Sequence, residues 1–140
     1  MGSIVKKIMT KIEVIDIPKI KDYRGNLAVV EKDTIPFKIE RVYYLFDVPS
    51  DAYRGGHAHI EQEELLVALS GSFEVILKDG EKTHRIMLNK PDKGLIIPKM
   101  TWRELENFSS GSVCLVLASG VYTEDDYIRD YDKFLLSKRG

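Results

Sequence analysis

Nine short runs of strand-forming residues, each closed by a turn signal, set the strongest bound on the fold. They are KIEVIDI (11–17), NLAVVEK (26–32), IERVYYLF (39–46), EELLVALS (63–70), SFEVILK (72–78), KTHRIML (82–88), GLIIP (94–98), TWRELEN (101–107) and SVCLVLAS (112–119). The breaks between them fall at DYRGN, DVPSDAYRGG, SG, KDGE, NKPDKG, PKM and SSGS. Many short strands punctuated by Gly, Pro and Asp predict an all-β sandwich or barrel. LKDGEK reads as a hairpin turn of the Asp-Gly kind. Only the tail, TEDDYIRDYDKFLLSKR, reads as turn or helix.

The chain has 140 residues, enough for one domain (1–140) with a single substantial core. Its net charge is −1 and no basic stripe dominates, which gives no support to a nucleic-acid or membrane-surface partner. Apolar runs stay strand-sized, far from the roughly 20 residues that span a bilayer. The start lacks the long apolar stretch of a secretory signal. Cys114 is the single cysteine and sits inside an apolar run, where a buried inert thiol is expected. These features together predict a cytoplasmic, reducing location.

Several strands carry apolar residues on both alternating faces, residues 63–70 and 112–119 among them. In residues 63–70, Leu66 and Ala68 share one face, and Leu65, Val67 and Leu69 the other. A strand buried on both sides has something packed outside it. A second subunit is the natural candidate, so a homodimer is expected, with exchange or edge pairing of strands between subunits as one arrangement.

The chemistry concentrates in RGGHAHIEQEELLVALSG (54–71). Residues i and i+2 of a strand share a face, so His57 and His59 project together. Paired imidazoles are costly as plain core, because each brings nitrogens that need partners. The spacing His57-Ala58-His59, then Glu64 and Gly71, resembles the first signature of the cupin superfamily of small β-barrels. Its second signature centres on a proline, with a histidine five residues on and an asparagine four beyond. Here Pro98 is followed by Arg103 and Asn107, and the usual glycine two after the proline is Met100. A catalytic metal needs three or four ligands, and arginine has no lone pair to offer. Its charge would repel a cation by about 4 kcal/mol per unit charge at 4 Å. His84, beyond the hairpin turn, reads as surface or structural. No metal and no cofactor are expected.

A cavity with two imidazoles and an arginine suits proton chemistry on an anionic or carbonyl-bearing ligand. Glu64, if it faces inward, would orient an imidazole. Tyr43 shares a face with Arg41 and Leu45 and reaches the same cavity if that face turns inward; ordinary packing is the competing reading.

Over nearly its whole length the chain resembles the nucleotide-sugar 3,4-ketoisomerases. The resemblance is carried by DYRGNLAVVE (22–31), IPF (35–37), ERVYYLFDVPSDAYRGGHAH (40–59) and EDDYIRDYDKFL (124–135). It implies a metal-free cupin homodimer with exchanged strands. It also implies a substrate, dTDP-4-keto-6-deoxy-D-glucose, whose carbonyl moves from C4 to C3 through an enediol or enediolate, on the route to 3-amino-3,6-dideoxyhexoses of surface glycans. His57 then matches the base, His59 a proton shuttle or oxygen polariser, and Tyr43 a second acid/base or relay. Arg103 would stabilise the enediolate or hold the sugar. Arg54, and Arg24 beside Tyr23 in the early loop, are candidates for the sugar nucleotide. Trp102 is read as partly buried on its own strand, and EDDYIRDYD as packing and helix-end chemistry. A sugar-nucleotide epimerase, a metal-dependent cupin and a non-catalytic sugar-binding cupin are the alternatives. The residues leave open which histidine is the base, the configuration formed at C4, and the nucleotide.

Overall fold

A computed structural model describes residues 11–139. The strands, in chain order, are β1 (Glu13–Asp16), β2 (Lys19–Ile20), β3 (Leu27–Ala28), β4 (Arg41–Phe46), β5 (Arg54–His59), β6 (Glu64–Ser70), β7 (Phe73–Lys78), β8 (Thr83–Leu88), β9 (Lys93–Ile97), β10 (Trp102–Glu106), β11 (Val113–Ala118) and β12 (Tyr127–Ile128). One helix, α1 (Tyr131–Arg139), closes the described chain. The expected strand at 26–32 shrinks to the two residues of β3, which pair only with β2. The expected break at 47–56 is shorter than read, because β5 already begins at Arg54.

Two five-stranded antiparallel sheets carry the fold, in the orders β1-β9-β6-β11-β4 and β12-β5-β10-β7-β8. Alternation in sequence explains how they meet. In β7, Phe73, Val75 and Leu77 point inward; in β6, Leu66 and Ala68 do the same. Leu95 and Ile97 of β9 and Cys114 and Val116 of β11 complete one core between the sheets. Cys114 is fully buried there, and burial pushes its thiol above the ordinary range. The β7–β8 hairpin closes on Asp79, whose Oδ1 accepts from the backbone N–H of Glu81 at 2.9 Å and Lys82 at 2.8 Å. Gly80 follows at φ +100°, a backbone state open to glycine.

The outer face of β6 has a different cover from the one expected. Leu65 and Val67 pack under the chain's own N-terminal arm, against Ile17, Ile35 and Phe37. A second subunit is therefore not needed to bury that face. The edge strand β4 is another matter: its outward residues Val42, Tyr44 and Phe46 are 56%, 59% and 60% exposed.

Helix α1 seals the outside of the other sheet. Phe134 is buried against Trp102 and Ala58, with Tyr131 and Leu135 beside them. Trp102 is 4% exposed, and its Nε1 donates to Glu104 at 2.8 Å, so its ring serves packing. Ala58 faces the helix, so its neighbours His57 and His59 face the space between the sheets. Among the described residues no helix is long and apolar enough to cross a membrane.

Candidate active site

A cavity of about 490 Å³ opens between the sheets. Arg41 and Tyr43 reach it from β4, Glu64 from β6, Arg103 from β10, and Arg54 and His57 from β5. The alternation of β4 does for Tyr43 what the pattern suggested: Arg41, Tyr43 and Leu45 turn inward and Val42, Tyr44 and Phe46 outward.

A β-bulge aims β5. Opposite β10, His57 pairs with Arg103 and Gly55 with Glu104, so Gly56 is the extra residue. Gly55 and Gly56 have φ of +86° and +79°. A Cβ on Gly55 would lie 3.0 Å from the Arg103 carbonyl oxygen. In a regular strand, residues three apart face opposite sides. The inserted residue brings Arg54 round to the same cavity as His57.

Behind the opening lies a buried charged cluster. Glu64 and Arg103 are 1% and 2% exposed, and the Arg103 guanidinium bonds Glu64 Oε1. Arg103 also donates to the Thr101 carbonyl at 3.2 Å. The Tyr43 hydroxyl donates to Glu64 Oε2 at 2.8 Å. Arg41 stands 4.0 Å from the same oxygen and donates to Gln62 at 3.1 Å. Each charge thus has a partner, as burial demands. Burial and then the Glu64 charge push the Tyr43 phenol well above its usual range, so it is a proton donor at neutral pH. Glu64 faces inward as the sequence allowed, but its direct bonds are to Arg103 and Tyr43.

The two histidines share a face, with ring centroids 5.0 Å apart and edge-to-face. Their surroundings differ. His57 lines the cavity, and its Nε2 has no hydrogen-bond partner. Burial, then the charge of Arg103, lowers its pKa to about 3, against a backbone hydrogen bond with Gly55 that acts the other way. It is a neutral imidazole at pH 7 with a nitrogen lone pair available. His59 is fully buried behind it. Its Nδ1 lies 2.9 Å from Asp126 Oδ2, and its Nε2 3.7 Å from Glu64 Oε2. Burial and the guanidinium of Arg103 also favour the neutral form of His59. In this position His59 reaches the cavity through its neighbours rather than directly.

The tail reading needs correction. EDDYIRDYD reaches the site: β12 pairs Tyr127 with His59 and Ile128 with Ala58. The Tyr127 ring lies 4.8 Å from His57 and 4.4 Å from His59. Arg129 stacks over that ring at 4.2 Å and lines the cavity, held by two bonds to Glu124 at 2.6 and 3.0 Å. Nothing in local periodicity signals this, because a two-residue strand has no pattern to read.

Tyr23 and Arg24 lie apart from the cavity within this chain. They occupy the turn between β2 and β3, with Tyr23 98% exposed and Arg24 bonded to Asp22 at 2.7 Å. His84 sits at the surface, 3.7 Å from Asp79.

A divalent cation does not fit these residues. Glu64, the carboxylate nearest the two imidazoles, is already bonded to Arg103 and Tyr43. The Arg103 charge would stand beside any ion held by the histidines.

Two facing antiparallel sheets around a cavity of imidazole, phenol and guanidinium groups define a cupin-like protein equipped to move protons. The model of the family FdtA, described as WxcM-like, C-terminal, matches residues 10–139, and the chain belongs to this family. It is 48% identical over 123 residues to the TDP-4-oxo-6-deoxy-alpha-D-glucose-3,4-oxoisomerase of Aneurinibacillus thermoaerophilus, covering 87% of this chain and 88% of that one. A 3,4-ketoisomerase from Helicobacter canadensis superposes with a TM-score of 0.89 at 45% identity, covering 92% of this chain and 98% of that one. A mutant of the 3,4-ketoisomerase QdtA from Thermoanaerobacterium thermosaccharolyticum, in complex with TDP-4-keto-6-deoxyglucose, gives 0.89 at 40% identity, covering 91% and 94%.

Proposed function

We propose that this chain is a sugar-nucleotide 3,4-ketoisomerase that works without a metal on TDP-4-keto-6-deoxyglucose. The observation that carries the proposal is the unpartnered Nε2 of a neutral His57 at a cavity framed by Tyr43 and the Arg103–Glu64 pair.

The C3 proton of a 4-ketosugar is acidified by the adjacent carbonyl. His57 Nε2 takes it, and the electrons move to the C4 oxygen as an enediolate. The Arg103 guanidinium and the Tyr43 hydroxyl stabilise that charge in a water-poor site. Reprotonation at C4, with the C3 hydroxyl proton passing to the C4 oxygen by way of Tyr43, leaves the ketone at C3. Arg54 and Arg129 at the cavity edge supply charge-assisted bonds for the pyrophosphate. The protein works as a homodimer in the cytoplasm. Its exposed strip of Val42, Tyr44 and Phe46 supplies an apolar contact. In this reading the β2–β3 turn, with Tyr23 98% exposed and Arg24 outside this chain's own cavity, is the segment assigned to the partner's cavity.

The test is metal-free protein with TDP-4-keto-6-deoxyglucose in D₂O, followed by NMR. Migration of the carbonyl to C3 with exchange is the expected result. Exchange with the ketone still at C4 would indicate an epimerase. Absence of exchange would leave a binding protein, and activity only after adding Fe²⁺ or Mn²⁺ would overturn metal independence.

A further inference from the structure

Asp126 is the one acidic residue of the tail that is buried, at 7% exposure. Its carboxylate receives the backbone N–H of Glu61 at 2.7 Å on Oδ1 and of Gln62 at 3.3 Å on Oδ2. The remaining contact, 2.9 Å from Oδ2 to His59 Nδ1, is attractive only when Nδ1 carries the hydrogen. That leaves His59 Nε2 as a lone pair with no hydrogen-bond partner, 3.7 Å from the Glu64 oxygen to which Tyr43 donates. The Tyr127 ring packs against the imidazole, with centroids 4.4 Å apart and planes tilted by 59°.

We infer that Asp126 is a positioning residue for the isomerisation, one that holds His59 as the Nδ1–H tautomer so that its Nε2 is a proton acceptor behind Tyr43. This rests on the isomerase reading above. In that geometry a hydroxyl proton of the sugar passes to Tyr43 Oη while the Tyr43 proton passes to Glu64 Oε2 and on to His59 Nε2. The imidazolium so formed faces the Asp126 carboxylate, which stabilises it. The reverse transfers return each proton, so nothing is consumed. A carboxylate that fixes a tautomer and steadies a transient imidazolium is the logic of the hydrolase triad, set here on a different fold.

Asp126→Asn separates this role from simple packing. An asparagine has one acceptor oxygen; when that oxygen keeps the shorter bond, from the Glu61 N–H, its NH₂ takes the place of Oδ2, gives up the longer bond from Gln62, meets Nδ1 and turns His59 to the Nε2–H form. Long-range ¹H–¹⁵N NMR reads the tautomer directly and needs no turnover. The expected result is Nδ1–H in the wild type and Nε2–H in Asp126→Asn. Turnover is expected to fall about 10²–10⁴-fold, with KM changed less than about threefold. Asp126→Glu, which keeps the carboxylate, is expected to retain the wild-type tautomer. An Nε2–H or doubly protonated His59 in the wild type at neutral pH overturns the inference, and this holds even if Asp126→Asn does not fold. So does a folded Asp126→Asn with near-wild-type kcat. Wild-type protein without isomerase activity but with the Nδ1–H tautomer sinks the isomerase reading and, with it, the catalytic part of this role.

Discussion

His57 carries the sharpest expectations. Its Nε2 lines the cavity without a hydrogen-bond partner, so removing it removes the base. His57→Asn is expected to lower kcat about 10²–10⁴-fold while substrate still binds, measured by steady-state kinetics and calorimetry. The same residue makes stability depend on pH. Burial lowers its pKa to about 3 in the folded chain, against 6.5 for an unperturbed histidine. Between those values the unfolded chain binds a proton that the folded chain refuses. The stabilising contribution is therefore complete above pH 6.5 and is lost as pH falls toward 3. Urea unfolding at pH 7 and pH 5 is expected to show the loss, at most about 1.4 kcal/mol per pH unit for this group. His57→Asn is expected to flatten the slope by up to one proton.

At the scale of the element, strand β5 is the part whose irregularity has a purpose. The Gly55-Gly56 bulge turns Arg54 and His57 toward one cavity, and a Cβ on Gly55 would crowd the Arg103 carbonyl at 3.0 Å. Gly55→Ala is expected to cost about 1–3 kcal/mol through its positive φ and the close contact, read by thermal or urea unfolding. It should also lower kcat more than it raises KM, because the base would be misaimed. The two glycines look like a turn in sequence, since glycine marks turns and bulges alike. Only the partner strand tells them apart. The alternations of β4 and β7, by contrast, could be read before any fold was known. The period of two groups Arg41, Tyr43 and Leu45 on one face of β4 and Phe73, Val75 and Leu77 on one face of β7, and the fold decides which face turns inward. The tail segment around Asp126 and Tyr127 has no such period, so sequence alone suggests only packing and helix-end chemistry there.

At the scale of the molecule, the unburied apolar strip on β4 bears on assembly. Val42, Tyr44 and Phe46 lie at a sheet edge, where an uncovered strand invites pairing. The combined change Tyr44→Lys and Phe46→Glu is expected to convert the proposed dimer to monomer in size-exclusion chromatography with light scattering. Activity would fall with it if the β2–β3 turn completes the partner's cavity. A protein already monomeric before the change would remove the dimer from the account.

Periodicity and spacing determined the all-β class and the grouping of Arg41, Tyr43 and Leu45 on one face, and the arginine at position 103 removed the third ligand of the usual metal site. These are local properties: an alternation, a distance along the chain, a side chain without a lone pair. Which groups bond to one another was decided by the tertiary structure alone. Glu64 belongs to Arg103 and Tyr43, His59 to Asp126, and the outer face of β6 to the chain's own arm. Each of those partnerships joins residues far apart in sequence. It exists because a buried polar or apolar group must be satisfied by whatever the fold brings beside it, and no local pattern records that neighbour.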